Sequence, residues 1–140
     1  MTDYDDEDPT CLRTYATLRV YTGAMSPQIV SDTLAIEPTR IWHKGSTETV
    51  VPRERNAWFL TSRGAIESRD TRRHIDWIIQ CLEGASSLLA DVRAAGGNTD
   101  IICLWHSAGK AEGGPRLSPP QLQALGELLV PVGWNIYWDK

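Results

Sequence analysis

The chain has 140 residues, a formal net charge of −4 and a sequence pI near 5.3, with 41% hydrophobic and 23% charged residues. That length and balance fit one globular domain with its own core, and no apolar run approaches the ~20 residues that span a bilayer. The opening TDYDDEDP has neither the basic nor the apolar stretch of a secretion signal. Three dispersed cysteines, Cys11, Cys81 and Cys103, fit a reducing compartment better than a disulfide framework, so a cytoplasmic location is expected.

Residues 1–11 read as an acidic, flexible N-terminal segment ahead of a single α+β domain over 12–140. Five acids in the first nine residues, with no apolar stripe, leave little to offset an ordering entropy of ~1–2 kcal/mol per residue. From Leu12 to Thr22 the chain alternates: Ala16, Leu18 and Val20 fall on one face, and Tyr15, Thr17, Arg19 and Tyr21 on the other. That period of two, with β-branched and aromatic residues, predicts a strand ended by Gly23. Ser26-Pro27 then opens a helix with the stripe Ile29, Val30, Thr33, Leu34, which Glu37-Pro38 closes. Arg40 to Lys44 predicts a short second strand and Asn56 to Ser62 a third.

Thr71 begins the longest helical stretch, where Ile75, Ile78, Ile79 and Leu82 repeat at i, i+3, i+4, i+7. It runs toward Ala95 with a break near Gly84, and Gly96-Gly97 supplies the stop. Thr99 to His106 is apolar nearly throughout and reads as a central strand. A glycine-rich loop over Gly109–Pro115 leads to a second Ser-Pro start at Ser118, a helix with Leu122, Leu125, Leu128 and Leu129, and a last strand from Val132 to Trp138. The order βαββαβαβ points to a ferredoxin-like α+β sandwich of two layers, its sheet mostly antiparallel and its helices on one face.

The segments LRVY, SPQIVSDTLAIEPTRIWHKG, AWFLTS, HIDWII and GGPRLSPPQL occur in this order. Together they resemble the bacterial domain-of-unknown-function family 4279 from about Leu12 to Tyr137, EPTR-x-W-x-KG being the most specific block. The resemblance implies a small α+β domain and supplies no catalytic residues. The acidic N-terminal segment lies outside it.

Candidate chemistry is sparse. Cys103 and His106 stand three apart on a strand and so on opposite faces, and Cys81 beside Ile78 and Leu82 suits a core thiol. No nucleophile elbow, paired-carboxylate motif or metal-ligand spacing appears, so no catalytic residue, metal or cofactor is expected. GKAEGGPR lacks the lysine-serine ending of a phosphate loop. It leaves Arg116, with the helix start at Ser118, as a candidate for a small anion.

The binding signal is aromatic and basic. Between Arg40 and His74 eight bases face four acids, a basic patch suited to an anionic ligand or acidic partner. Tyr15, Arg19 and Tyr21 share the face turned away from the helices, to be joined by Cys103 and Trp105 or by Leu104 and His106. Parity places Trp134 and Trp138 on one face of the last strand and Tyr137 on the other. Arg40, Trp42 and Lys44 project together from the second strand, with the indole expected to pack as core between two solvent-facing cations. These features predict a non-enzymatic module for protein–protein interaction or homodimerisation. Two alternatives stay open: a toxin-neutralising, immunity-type protein, and a small-ligand enzyme with His43, His74 or His106 as base near the glycine-rich loop. Nucleic acid is disfavoured by the acidic pI, and no membrane partner is expected.

Overall fold

In a computed structural model, which describes residues 3–46, 53–109 and 113–138, the chain folds as α+β with a five-stranded mixed sheet and four helices. The strands are β1 (Cys11–Tyr21), β2 (Arg40–Trp42), β3 (Ala57–Thr61), β4 (Asn98–Ser107) and β5 (Val132–Trp138), in the spatial order β2-β3-β1-β4-β5. The helices are α1 (Gln28–Leu34), α2 (Thr71–Cys81), α3 (Ser86–Ala94) and α4 (Pro119–Leu128). Three strand pairs are antiparallel, and β4–β5 is parallel because α4 crosses between them. The single long helix expected from Thr71 to Ala95 is divided at the expected place: Gly84 takes a φ of 74°, a left-handed backbone that a helix interior cannot hold.

Register decides which side chains meet. Ala16, Leu18 and Val20 of β1 stand opposite Cys103, Ile101 and Thr99 of β4, and Leu18 and Val20 also stand opposite Leu60 and Trp58 of β3. This face packs against Val30 of α1, Ile75 and Ile78 of α2, Leu88, Leu89 and Val92 of α3, and Leu125 of α4 as one core. Trp58, fully buried, satisfies its indole N–H on Ser31 Oγ at 2.9 Å. At the end of β1, Gly23 is required on two counts. Its φ is 60°, and a Cβ there would lie 2.2 Å from the carbonyl oxygen of Ala95. Gly97 is equally confined, since its Cβ would meet the Tyr21 carbonyl at 2.0 Å. These close backbone approaches hold the α3–β4 corner against β1.

The start of α2 is a polar corner. Asp70 is its N-cap, accepting the Arg72 N–H at 3.0 Å and the N–H of Asp5 at 2.7 Å. One turn on, His74 is buried: its Nε2–H donates to the Ser68 carbonyl at 2.8 Å, so Nδ1 is the acceptor of the Ser62 hydroxyl at 2.6 Å. Ser62 Oγ in turn accepts the Ala16 N–H at 2.9 Å. Gln121 reaches across from α4, donating to the Arg72 carbonyl at 2.7 Å and to Asp76 at 2.8 Å, while its side-chain oxygen accepts the Ser118 N–H and closes a capping box.

The N-terminal segment, expected from composition to be flexible, makes its contacts with this corner. Asp6 forms a two-point ion pair with Arg73 at 2.7 and 2.9 Å and accepts the Ser68 hydroxyl at 2.6 Å. Tyr4 donates to Asp76, and the Arg73 guanidinium lies 4.1 Å from the Tyr4 ring centroid. The Asp3 carbonyl accepts from Arg72. The physical reason is charge: a segment too polar to bury apolar surface meets two arginines and the positive end of α2.

Two outcomes are expected. Deleting residues 1–9 should lower the melting temperature by a few degrees, through loss of the Asp6, Tyr4 and Asp5 contacts to this corner. An unchanged melting temperature by calorimetry would show that the segment carries no stability. The second concerns pH. Burial, as the largest cause, pushes the pKa of His74 below its ordinary 6.5. Between 6.5 and the lower folded value, unfolding takes up a proton, so stability should fall with decreasing pH over that interval and not above it. For Asp70, burial works upward but is outweighed by the hydrogen bonds from Arg72, Asp5 N–H and Arg72 N–H and by the Arg72 charge, which hold it below 3.8. Its contribution is present above 3.8 and is lost as pH falls below that. Urea denaturation from pH 8 to pH 3 should show two declines, and His74→Gln should remove the upper one alone.

Candidate functional site

The sheet face opposite the core is organised in cross-strand rows. Asp100, Arg19, Phe59 and Arg40 lie side by side across β4, β1, β3 and β2, and in the next row Tyr21, Ala57 and Trp42 lie side by side. Ala57 is the small member of its row. Phe59 leans on both large rings, 5.9 Å from Tyr21 edge-on and 4.7 Å from Trp42. Such aromatic pairs add ~0.5–1.5 kcal/mol beyond burial. Further along β1, Thr17 faces Thr61, and Tyr15 faces Leu104.

These side chains line a groove of about 450 Å³ whose walls are Tyr15, Thr17, Arg19, Tyr21, Thr39, Arg40, Trp42, Phe59, Thr61 and Arg63. A second hollow of about 480 Å³ continues from it, sharing Tyr15 and Arg63 and reaching Arg13 and Arg69. Among the described residues no carboxylate lines the first groove. Asp100 abuts it, and both its oxygens are taken by Arg19 at 2.6 and 2.7 Å. Among the described residues, the ion pairs use Arg19, Arg72 and Arg73 and leave Arg40 and Arg63 with no carboxylate.

The rings are not bare. Arg55 lies 4.0 Å from the Tyr21 centroid and Arg53 lies 4.1 Å from that of Trp42, while Arg63 and Arg13 stand 5.5 and 5.9 Å from Tyr15. A guanidinium over a ring is held by the ring quadrupole, and its N–H edges stay available for a carboxylate. Trp42 Nε1 is enclosed and has no acceptor, an uncompensated donor within the aromatic cluster.

Of the expected site residues, the structure brings together Tyr15, Arg19, Tyr21, Arg40 and Trp42. The open parity question on β4 is resolved by register in favour of Leu104 and His106, because Cys103 and Trp105 are buried on the core face. Trp42 departs from the core placement expected of it. Ile41 takes the core side of β2, and the indole is half-buried on the opposite face, against Phe59. Lys44 does not join the site. The strand ends at Trp42, Lys44 N–H donates to Asn56 Oδ1 at 2.7 Å, and its side chain is exposed beyond the groove. Arg116 lies elsewhere, beside a small cavity of about 70 Å³ that also borders Asp5, Asp8, Asp70 and Arg72. Acids crowd that spot, and the Ser118 helix start is satisfied by its own Gln121, so an anion gains nothing there. Residues 110–112 of the glycine-rich loop lie outside the described residues.

Sequence reasoning missed Phe59, and it counted Arg53, Arg55 and Arg63 in the basic patch between Arg40 and His74 without placing them beside these rings. The strand reading of NAWFLTS already separates Phe59 and Thr61 from Trp58 and Leu60, but only the pairing of Phe59 with Arg19 and Arg40 places it in the groove.

Ser62 and His74 form a serine–histidine pair of the kind a hydrolase uses. Here Ser62 donates to His74 while accepting from Ala16, both residues are buried, and neither lines a groove described above. His43 is exposed, and burial pushes the Cys11 thiol up to about 11 and that of Cys103 to about 12, away from thiolate reactivity. Among the described residues no cluster of three or more histidine, cysteine or acidic side chains is placed to hold a metal ion, and no helix is long and apolar enough to cross a membrane.

Fold and groove together define a small α+β module with an arginine- and aromatic-lined sheet face. Residues 12–139 match the family described as a domain of unknown function, DUF4279, and the chain belongs to that family. No curated protein and no solved structure matches it.

The burial difference between two tryptophans is directly measurable. Trp58→Ala, deep in the core and bonded to Ser31, should cost about 3–5 kcal/mol, whereas half-buried Trp42→Ala should cost about 1–2 kcal/mol. Equal losses in urea denaturation would place the Trp42 indole in the core.

Proposed function

We propose that this protein is a binding module whose groove on β1, β2 and β3 receives an acidic, extended segment of a partner protein. The observation that carries the reading is the groove's composition: three arginines and four aromatic rings line it, and among the described residues two of those arginines have no carboxylate partner and no acid lines it. Guanidinium groups bind carboxylates with two parallel hydrogen bonds, and Arg, Tyr and Trp are the usual anchors of protein interfaces. Nucleobase stacking is less favoured by the same geometry, because Arg55 and Arg53 already cover the faces of Tyr21 and Trp42. The net charge of −4 also opposes a polyanion at long range.

A ferredoxin-like, two-layer reading of β1 to β4 accompanies this proposal. It is supported by the order β2-β3-β1-β4 with each neighbouring pair antiparallel and by the contribution of all four helices to one core. In that reading the face carrying the groove has no helix over it, and a partner can reach it.

A test uses a synthetic Asp/Glu-rich peptide of about twelve residues containing one tyrosine, a length that spans the two hollows at ~3.3 Å per residue. Calorimetry should give binding that weakens steeply from ~0.05 to ~0.5 M salt, as exposed charge pairs do. Arg40→Glu with Arg63→Glu should weaken it about tenfold or more at unchanged melting temperature. Equal affinity for a neutral peptide of the same length, or tighter binding of a single-stranded oligonucleotide, would remove the proposal.

A further inference from the structure

The two edges of the sheet are built differently. At one end β2 is three residues long and carries Arg40. At the other, β5 runs seven residues and is paired on one side only, with β4, so its outer edge presents unpaired backbone donors and acceptors. Edges of this length are normally blunted by lysine, proline or a bulge. VGWNIYW has no charged residue and no proline, and its register with β4 is unbroken from Val132 to Trp138.

The side chains around that edge are apolar and open to solvent. Of the eight large hydrophobic side chains exposed among the described residues, six belong to α4, its C-cap and β5: Leu122, Leu129, Trp134, Ile136, Tyr137 and Trp138. Trp138 is 69% exposed. Trp134 and Ile136 stand beside Cys103 and Trp105 in register, on the core side of the sheet, and still remain 36% and 42% exposed.

We propose that β5 pairs antiparallel with β5 of a second copy of this chain, about a two-fold axis normal to the sheet, to form a continuous ten-stranded sheet. An antiparallel pair of identical edges is self-complementary, because the free N–H groups of each strand meet the free carbonyls of the other. An uncharged strand brings no like charges together at the axis, and it specifies no partner of opposite charge. The area suffices. With ~150–250 Å² for a whole aromatic side chain, the exposed parts of Trp134, Tyr137 and Trp138 amount to roughly 300 Å² per copy. Adding Ile136, Leu122, Leu129 and the strand backbone, a pair buries on the order of 1,200 Å², the lower end of specific interfaces.

Sedimentation equilibrium of the full chain, from ~1 to ~200 μM, tests the assignment at concentrations spanning ordinary dimer affinities. A monomer–dimer equilibrium is expected, with a dissociation constant raised at least tenfold by Ile136→Lys and by Trp138→Glu. Two variants are used so that a folding defect in one, seen by circular dichroism, leaves the other decisive. Amide exchange in β5 should slow as the concentration rises. A chain that stays monomeric throughout, or dimerises equally well with a charge at either position, overturns the proposal.

Discussion

The imidazole of His74 ties three pieces of the fold to one point. Held neutral by burial, it donates to the loop before α2 and accepts from Ser62 at the end of β3, and Ser62 accepts a backbone N–H of β1. With the Thr14–Thr71 hydroxyl contact at 3.1 Å, that chain of hydrogen bonds fixes the first turn of α2 against β1. Ile75 and Ile78 follow in the same helix and join the core that contains Ala16 and Leu18. A buried polar chain of this kind is costly if any member lacks a partner, and when complete it specifies one arrangement among many apolar ones. The cluster looks catalytic by residue type and is structural by connectivity.

With α2 fixed, the remaining polar contacts divide the protein by charge. The acidic N-terminal segment is drawn to Arg72 and Arg73 at the helix start, and Asp70 caps that helix. These arginines are thereby neutralised within the fold. The arginines of the opposite face, Arg40 and Arg63, keep their charge. A chain that is acidic overall can therefore present a basic, donor-rich groove, and the net charge of −4 understates the contrast. One row sets Phe59 between Arg19 and Arg40. Phe59 packs edge-on against Tyr21 and Trp42, and the faces of Tyr15, Tyr21 and Trp42 are met by arginines.

How much of this the sequence disclosed follows from the range of each signal. Alternation within β1 separates Ala16, Leu18 and Val20 from Tyr15, Arg19 and Tyr21 without any knowledge of neighbours, and the Ser-Pro start at Ser118 and the break at Gly84 are equally local. Register is not local. That Phe59 sits between Arg19 and Arg40 depends on a hairpin whose connection includes residues 47–52, and no periodicity encodes it. Parity grouped Arg40 with Trp42 correctly and Lys44 wrongly, because it assumes the strand continues, and the chain instead leaves β2 and turns at Gly45 with a φ of 81°. Trp42 was misplaced for a different reason: a tryptophan is apolar enough for either face, and only Ile41 in contact with the core shows which face is taken. The contacts of the N-terminus are not visible in composition, since five acids predict a solvated tail unless arginines 67 and 69 residues away in sequence are known to lie beside them.

The same charge division connects the groove with the free edge of β5. An antiparallel pair of identical edge strands is related by an axis perpendicular to the sheet, so both copies turn the same face to the same side. Two grooves would then open in one direction at a fixed separation. A partner carrying two acidic segments would engage them together, and its affinity would reflect effective concentration as well as contact. In the proposed assembly the uncharged edge would meet its own copy, and the arginine-lined face would be left for an acid. The separation of those two surfaces on opposite edges follows from strand order alone, β2 at one end and β5 at the other.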